Sequence, residues 1–288
     1  MKSKNKPKLN VWLLALAACL LAGGLAVFAI FGHKNTKTSN TTSTKQAYVA
    51  LGDSVAAGTG LNTSSDSSAC NRTEESFPHI VAIAKSAQLI NIACSGATLP
   101  QGILGSQTVN GLALKPQLDQ LFAQTQKPEL VSVTIGANDV GWSAFIAKCY
   151  TGICGTADDT AKVDLELQKL STNLNTMLSS ISSHYGQSAP VVVLTGYHQV
   201  FPQVKLSCLE LSGIDQGELN WTRARLDKLN ATIKDSASKY PFAKFGEVNF
   251  TDHELCTAAP WVQGISSKAP FHPNEDGQSA FSQAMTQY

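Results

Sequence analysis

From Ala47 onward the apolar positions fall into two alternating kinds of run. Tyr48–Leu51, Leu89–Ala93, Leu130–Ile135, Ala189–Leu194 and Lys244–Phe250 are short and rich in apolar or β-branched residues, which predicts strands. Between and after them come stretches with helical spacing. These are Ile80–Ser86, Lys115–Gln126 with Leu118, Leu121 and Phe122 on one face, a long helix marked by Leu165, Leu167, Leu170, Leu174, Met177, Leu178 and Ile181, Glu218–Lys239 with Trp221, Leu226, Leu229 and Ile233 inward, and Asn274–Tyr288. Strands that alternate with helices at this spacing predict an α/β domain around a parallel sheet. No internal repeat and no second boundary follows residue 46, so residues 47–288 read as one domain.

The N-terminus has another pattern. Val11–Gly32 carries no charge and follows the lysine-rich Met1–Asn10. A segment of that length can span a bilayer's hydrocarbon core, and the lysines before it predict a cytoplasmic N-terminus. Leu16-Ala17-Ala18-Cys19 is similar to a lipoprotein cleavage box, but cleavage there would leave the apolar Leu20–Phe31 in the mature chain. An uncleaved single-span anchor is therefore the preferred reading, with a cleaved signal or a lipoprotein as the alternative; either way the remainder is exported. His33–Lys45 is polar, Ser/Thr-rich and aperiodic, as expected of a tether. The expected organisation is a basic tail (1–10), an anchor or signal segment (11–32), a linker (33–46) and a catalytic domain (47–288) acting as a monomer.

Composition narrows the class. Hydrophobic residues make up 43% and charged residues 15%, which suits a packed core, and the net charge is +1. With four lysines in the first eight positions, the rest is mildly acidic, and nucleic acid is not an expected partner. Seven cysteines are present, six of them beyond the apolar segment. An oxidising compartment would pair six, fifteen pairings are formally possible, and the spacing favours Cys70–Cys94, Cys149–Cys154 and Cys208–Cys256. A zinc site would need a Cys-x-x-Cys pair or matching His spacing, and neither occurs. No metal and no cofactor is expected.

The candidate chemistry lies at strand ends and one helix entry. Tyr48–Leu51 breaks at Gly52-Asp53-Ser54, which delivers a hydroxyl to the C-terminal edge of a sheet, where open α/β sheets bind ligands. Gly96 follows the second strand within Cys94-Ser-Gly-Ala-Thr98, Asn138 follows the third within Gly136-Ala-Asn-Asp139, and His272-Pro273 precedes the last helix. These four blocks, in this order and spacing, resemble those of the SGNH (GDSL-type) hydrolases over roughly residues 47–288. Phe77-Pro78, the cysteine spacing, His253–Cys256, Pro260-Trp261 and Phe271–Asn274 further resemble the secreted, three-disulfide actinobacterial lipases and esterases of that family.

The resemblance implies a flavodoxin-like three-layer α/β/α sandwich with a central parallel sheet, and a serine esterase mechanism on an ester substrate: a lipid, a small acyl ester or an acylated glycan. It assigns Ser54 as nucleophile and His272 as general base. The oxyanion donors would be the N–H groups of Ser54 and Gly96 and the side-chain amide of Asn138. Most of the family has an Asp three residues before the histidine; here that position is Ala269. The expectation is therefore a Ser54–His272 dyad, with the backbone carbonyl of Ala269 orienting the imidazole. Asp252, Glu254, Glu275 and Asp276 are the carboxylates that could take the acid's place. His253 is the rival base, read instead as an anchor of the Cys256 loop. His79, His184 and His198 are read as ordinary, and Asp53 as a residue that holds its turn. An O-acyltransferase, a carbohydrate O-acetylesterase and a non-catalytic envelope-binding module are the alternatives.

Overall fold

A computed structural model describes residues 45–62 and 69–288. The expected tail and anchor segment, and all of the linker but its last two residues, lie outside the described residues. Among the described residues no helix is long and apolar enough to cross a membrane.

The domain is built on a parallel sheet. Its strands are β1 (Ala47–Gly52), β2 (Gln88–Asn91), β5 (Leu130–Thr134), β6 (Val191–Thr195) and β7 (Ala243–Gly246); β3 (Gln107–Val109) and β4 (Leu112–Leu114) form a separate antiparallel hairpin. The order across the sheet is β2-β1-β5-β6-β7, and every neighbouring pair runs parallel. β1 and β5 are buried along their whole length, which is why their sequences read as continuous apolar runs rather than alternating ones. Their polar exceptions are paired inside the sheet, Tyr48 Oη with Ser132 Oγ at 2.7 Å and Thr134 with Thr195 at 2.7 Å.

The helices are α1 (Ser54–Ala57), α2 (Phe77–Ala84), α3 (Gln117–Phe122), α4 (Trp142–Thr151), α5 (Ala157–Tyr185), α6 (Gln216–Ser238) and α7 (Glu275–Met285). α2 packs on α7, with the Phe77 and Phe281 rings 5.6 Å apart, and α5 packs on α6. The chain leaves β1 for β2 on one side, then crosses to β5 and continues outward in the other direction. Right-handed crossovers then put α2 and α5–α6 on opposite faces, giving three layers. The order reverses between β1 and β5, and a crevice opens beyond their C-terminal ends.

One expected strand changes, and some elements were not expected. β7 stops at Gly246, four residues short, because Phe250 is buried against the His198 and Trp261 rings rather than in the sheet. The chain from Ser54 to Ala57 forms a one-turn helix. α4 and the β3–β4 hairpin gave no periodic signal, since α4 buries only Ile146 and Cys149 and each hairpin strand has three residues. The six cysteines are joined as Cys70–Cys94, Cys149–Cys154 and Cys208–Cys256, the pairs that spacing favoured.

Candidate active site

The serine turn is fixed from several sides. Gly52 has φ 140°, and a Cβ there would fall 2.3 Å from the carbonyl oxygen of Thr134 on the neighbouring strand, so only glycine fits. Gln117, buried on α3, takes the Gly52 N–H at 2.8 Å and donates to its carbonyl at 2.9 Å. Asp53 caps α1: its backbone N–H donates to Thr134, and its Oδ1 accepts from Val55 N–H at 2.9 Å. From 223 residues further along the chain, Gln278 on α7 donates to the Val55 carbonyl at 3.1 Å. Ser54 is thereby held with its side chain lining a cavity of about 60 Å³.

His272 meets it there. Nε2 lies 2.8 Å from Ser54 Oγ, and Nδ1 lies 3.1 Å from the backbone oxygen of Pro270. A carbonyl can only accept, so Nδ1 carries the proton and Nε2 presents a lone pair to the hydroxyl. The acceptor is one residue away from the expected Ala269, for a reason in the backbone. Pro270 and Phe271 occupy the centre of a turn closed by His272 N–H donating to Ala269 O at 3.3 Å, with Phe271 at φ 69°. Proline followed by a positive φ marks a type II turn. The Ala269 carbonyl closes the turn, its dipole still favouring the charged ring, while the intervening peptide points the Pro270 carbonyl at Nδ1. Phe271 N–H donates to Gln263 O at 2.9 Å on the opposite edge of that same peptide, which locks its orientation.

The other two blocks flank the pair on neighbouring strands. Asn138, after β5, lines the cavity and gives one amide hydrogen to Ala97 O at 3.0 Å, leaving its second for another acceptor. Gly96, on the loop after β2, adopts φ 78°, while an added Cβ would meet only Gln107 at 3.7 Å; the backbone angle, not crowding, selects glycine. Among the described residues the N–H groups of Ser54 and Gly96 donate to no protein acceptor. Trp142, Ile146, Val200, Leu226 and Phe271 supply the apolar wall.

Burial sets the electrostatics. It pushes the Asp53 carboxyl up to about 7, against hydrogen bonds from Tyr197 and Val55, and that of Asp139 up to about 6. Burial also lowers the pKa of His272, opposed by the Pro270 and Ala269 carbonyls, so its imidazole stays neutral at neutral pH and able to accept a proton. A hydroxyl beside a neutral, tautomer-fixed imidazole, with unused N–H donors near by, is the arrangement acyl transfer requires.

The carboxylates considered from sequence lie elsewhere. Glu254 is buried and faces Arg223 at 3.4 Å, Asp252 is exposed, and Glu275 and Asp276 sit in the first turn of α7. Among the described residues the ring nitrogens of His272 bond only Ser54 and Pro270. His253 is an anchor, its Nδ1 2.7 Å from Ala259 O and its ring stacked on Trp261. Sequence reasoning missed Tyr197 and His198. Tyr197 Oη donates to Asp53 Oδ2 at 2.5 Å and accepts from Ala137 N–H at 3.2 Å, bridging two of the blocks. Both residues follow β6, one of two sheet-strand ends that carried no family block, and that position was the available signal. Among the described residues no group of three or more His, Cys, Asp or Glu side chains is placed to hold a metal ion.

Residues 50–280 match the GDSL-like Lipase/Acylhydrolase family. The chain is 30% identical over 271 residues to a lipase of Streptomyces rimosus, covering 91% of this chain and 92% of that one. Among solved structures it is similar to the extracellular lipase of Streptomyces rimosus, with a TM-score of 0.70 and 29% identity over 84% of this chain and 99% of that one. It is also similar to a phospholipase A1 of Streptomyces albidoflavus NA297, with a TM-score of 0.63 and 26% identity over the same shares. With a family match over most of its length and lipases among its relatives, the chain belongs to the GDSL-like lipase/acylhydrolase family and is a carboxylic ester hydrolase of the lipase/esterase kind.

Proposed function

We propose that the protein is an exported serine esterase or lipase that works through an acyl-enzyme at Ser54, with His272 as its base and no carboxylate in the relay. The observation that carries this reading is the chain of contacts Ser54 Oγ–His272 Nε2 at 2.8 Å and His272 Nδ1–Pro270 O at 3.1 Å. In the first half-reaction Ser54 Oγ attacks the ester carbonyl as its proton passes to Nε2. The N–H groups of Ser54 and Gly96 and the amide of Asn138 receive the oxyanion, each such donor supporting about 10²–10³ in rate. Collapse expels the alcohol, which takes the proton back from Nε2. Water then repeats the sequence and releases the acid.

The Pro270 carbonyl fixes the tautomer as a carboxylate would, but offers only a partial charge to the imidazolium. Export is supported by the three disulfides and by the charge-free segment 11–32 after its lysines. Within this reading that segment anchors the catalytic domain, residues 47–288, on the outer side of a membrane. The apolar wall and the lipase and phospholipase relatives favour esters of lipids over glycan acetates.

The test is pre-steady-state hydrolysis of a chain-length series of p-nitrophenyl esters by the full-length protein. Expected is a nitrophenol burst stoichiometric with enzyme, lost in Ser54→Ala and His272→Ala. Unchanged turnover in Ser54→Ala would remove the acyl-enzyme from the account.

A further inference from the structure

The turn that aims the Pro270 carbonyl contains a non-glycine residue in the left-handed region, Phe271 at φ 69°. That conformation is unfavourable for an L-residue and persists only where its surroundings over-determine it. The peptide before Phe271 is held through its N–H by Gln263 O at 2.9 Å. The peptide after it is held at one end by His272 N–H on Ala269 O at 3.3 Å, and at the other by a side chain, His198 Nε2, 3.1 Å from Phe271 O.

We propose that His198 is a positioning residue: by donating Nε2–H to the Phe271 carbonyl it holds the left-handed turn through which Pro270 presents its carbonyl to His272.

Several features show that this contact is built in. His198 is buried, with only 4% of its surface exposed. Its ring is stacked on Phe250 at 4.4 Å and meets the edge of Phe281 of α7 at 5.8 Å, so it has one orientation. Phe271 O can only accept, which puts the His198 proton on Nε2. Among the described residues Nδ1 has no hydrogen-bond partner, so the opposite tautomer would leave the Phe271 carbonyl unmet and gain no acceptor in exchange. Burial also drives the pKa of His198 down to about 3, so the ring stays neutral and the donor does not change with pH in the working range. His198 touches neither Ser54 nor the His272 ring; it acts on the base through the backbone of Phe271.

This inference rests on the Ser54–His272 reading, and its test separates the two. The full-length His198→Phe variant keeps an aromatic ring against Phe250 but lacks the donor. His198→Gln replaces the donor at the reach of Nε2, and His198→Asn carries an amide that is one methylene too short. With a soluble p-nitrophenyl ester, kcat of the Phe and Asn variants is expected to fall about tenfold with KM within twofold, matching one lost hydrogen bond to a buried carbonyl. The Gln variant is expected to recover most of that loss. Equal kcat in all four proteins, after correction for folded fraction, would overturn the proposal; so would Gln and Phe variants that are equally impaired. Long-range ¹H–¹⁵N spectra of the unmutated protein give a readout that needs no variant to fold. They are expected to show His198 as the neutral Nε2–H tautomer, and an Nδ1–H tautomer would end the proposal. Ser54→Ala is the control: if it remains active the dyad reading fails, whereas an inactive Ser54→Ala beside a fully active His198→Phe removes His198 alone.

Discussion

Tyr197→Phe probes the link between the nucleophile turn and the Asn138 turn. The hydroxyl lies 2.5 Å from Asp53 Oδ2 and 3.2 Å from Ala137 N, and both Tyr197 and Asp53 are buried. Its removal strands two polar groups. Asp53 is pushed up to about 7 from an ordinary 3.8, so folded and unfolded chains bind protons differently between those values. The folded state holds the extra proton, so the stability from this group is complete below about 4 and is lost as pH rises through about 7. At pH 8 the folded carboxyl is ionised and the variant loses a charge-assisted bond, worth roughly 1.5–3 kcal/mol, together with about 1–3 kcal/mol for the unmet Ala137 N–H. We predict a destabilisation of about 2.5–6 kcal/mol at pH 8 and, with a neutral bond of about 0.5–1.5 kcal/mol in place of the charge-assisted one, about 1.5–4.5 kcal/mol at pH 5, the loss at pH 8 being the larger. Urea unfolding of both proteins at the two pH values reads this directly. A loss below about 0.5 kcal/mol, or one that is larger at pH 5, would refute the reasoning.

Single amide replacements at Asp252, Glu254, Glu275 and Asp276 are expected to keep kcat within about tenfold, because none of these carboxylates bonds His272; removing the acid of a full triad costs about 10⁴. A thousandfold loss at any of them, in a folded variant, would name a missing acid. The disulfides are predicted to act on stability alone. By loop closure, the Cys208–Cys256 bridge, with a sequence separation of 48, should contribute about 4 kcal/mol, Cys70–Cys94 (24) about 3.4 and Cys149–Cys154 (5) about 2. Calorimetry of paired Cys→Ser variants should reproduce that order, and a folded variant that lost turnover at unchanged Tm would contradict it.

The sheet was legible because parallel strands buried on both faces leave unbroken apolar runs, and because the long α5 and α6 carry helical periodicity. The four chemical blocks were legible because each sits where a strand ends or a helix begins. What stayed hidden depends on distance in sequence. Gln117 reaches Gly52 across 65 residues and Gln278 reaches Val55 across 223, with nothing local to mark either glutamine. His198 reads as an ordinary buried histidine until the Phe271 carbonyl is placed beside it. The shift from Ala269 to Pro270 as the imidazole's partner is a matter of peptide orientation. Pro270 made a turn legible, but only the positive φ at Phe271 decides which carbonyl turns toward the ring.

The central claim is that Ser54 is the covalent nucleophile and His272 its base. Its most direct measurement is fluorophosphonate labelling of the full-length protein, with the modified residue mapped by peptide mass spectrometry. The account predicts a single adduct per chain, on Ser54, that is absent in Ser54→Ala and slowed at least a hundredfold in His272→Ala. An adduct on another serine with Ser54 unmodified, or undiminished labelling in the His272 variant, would contradict it.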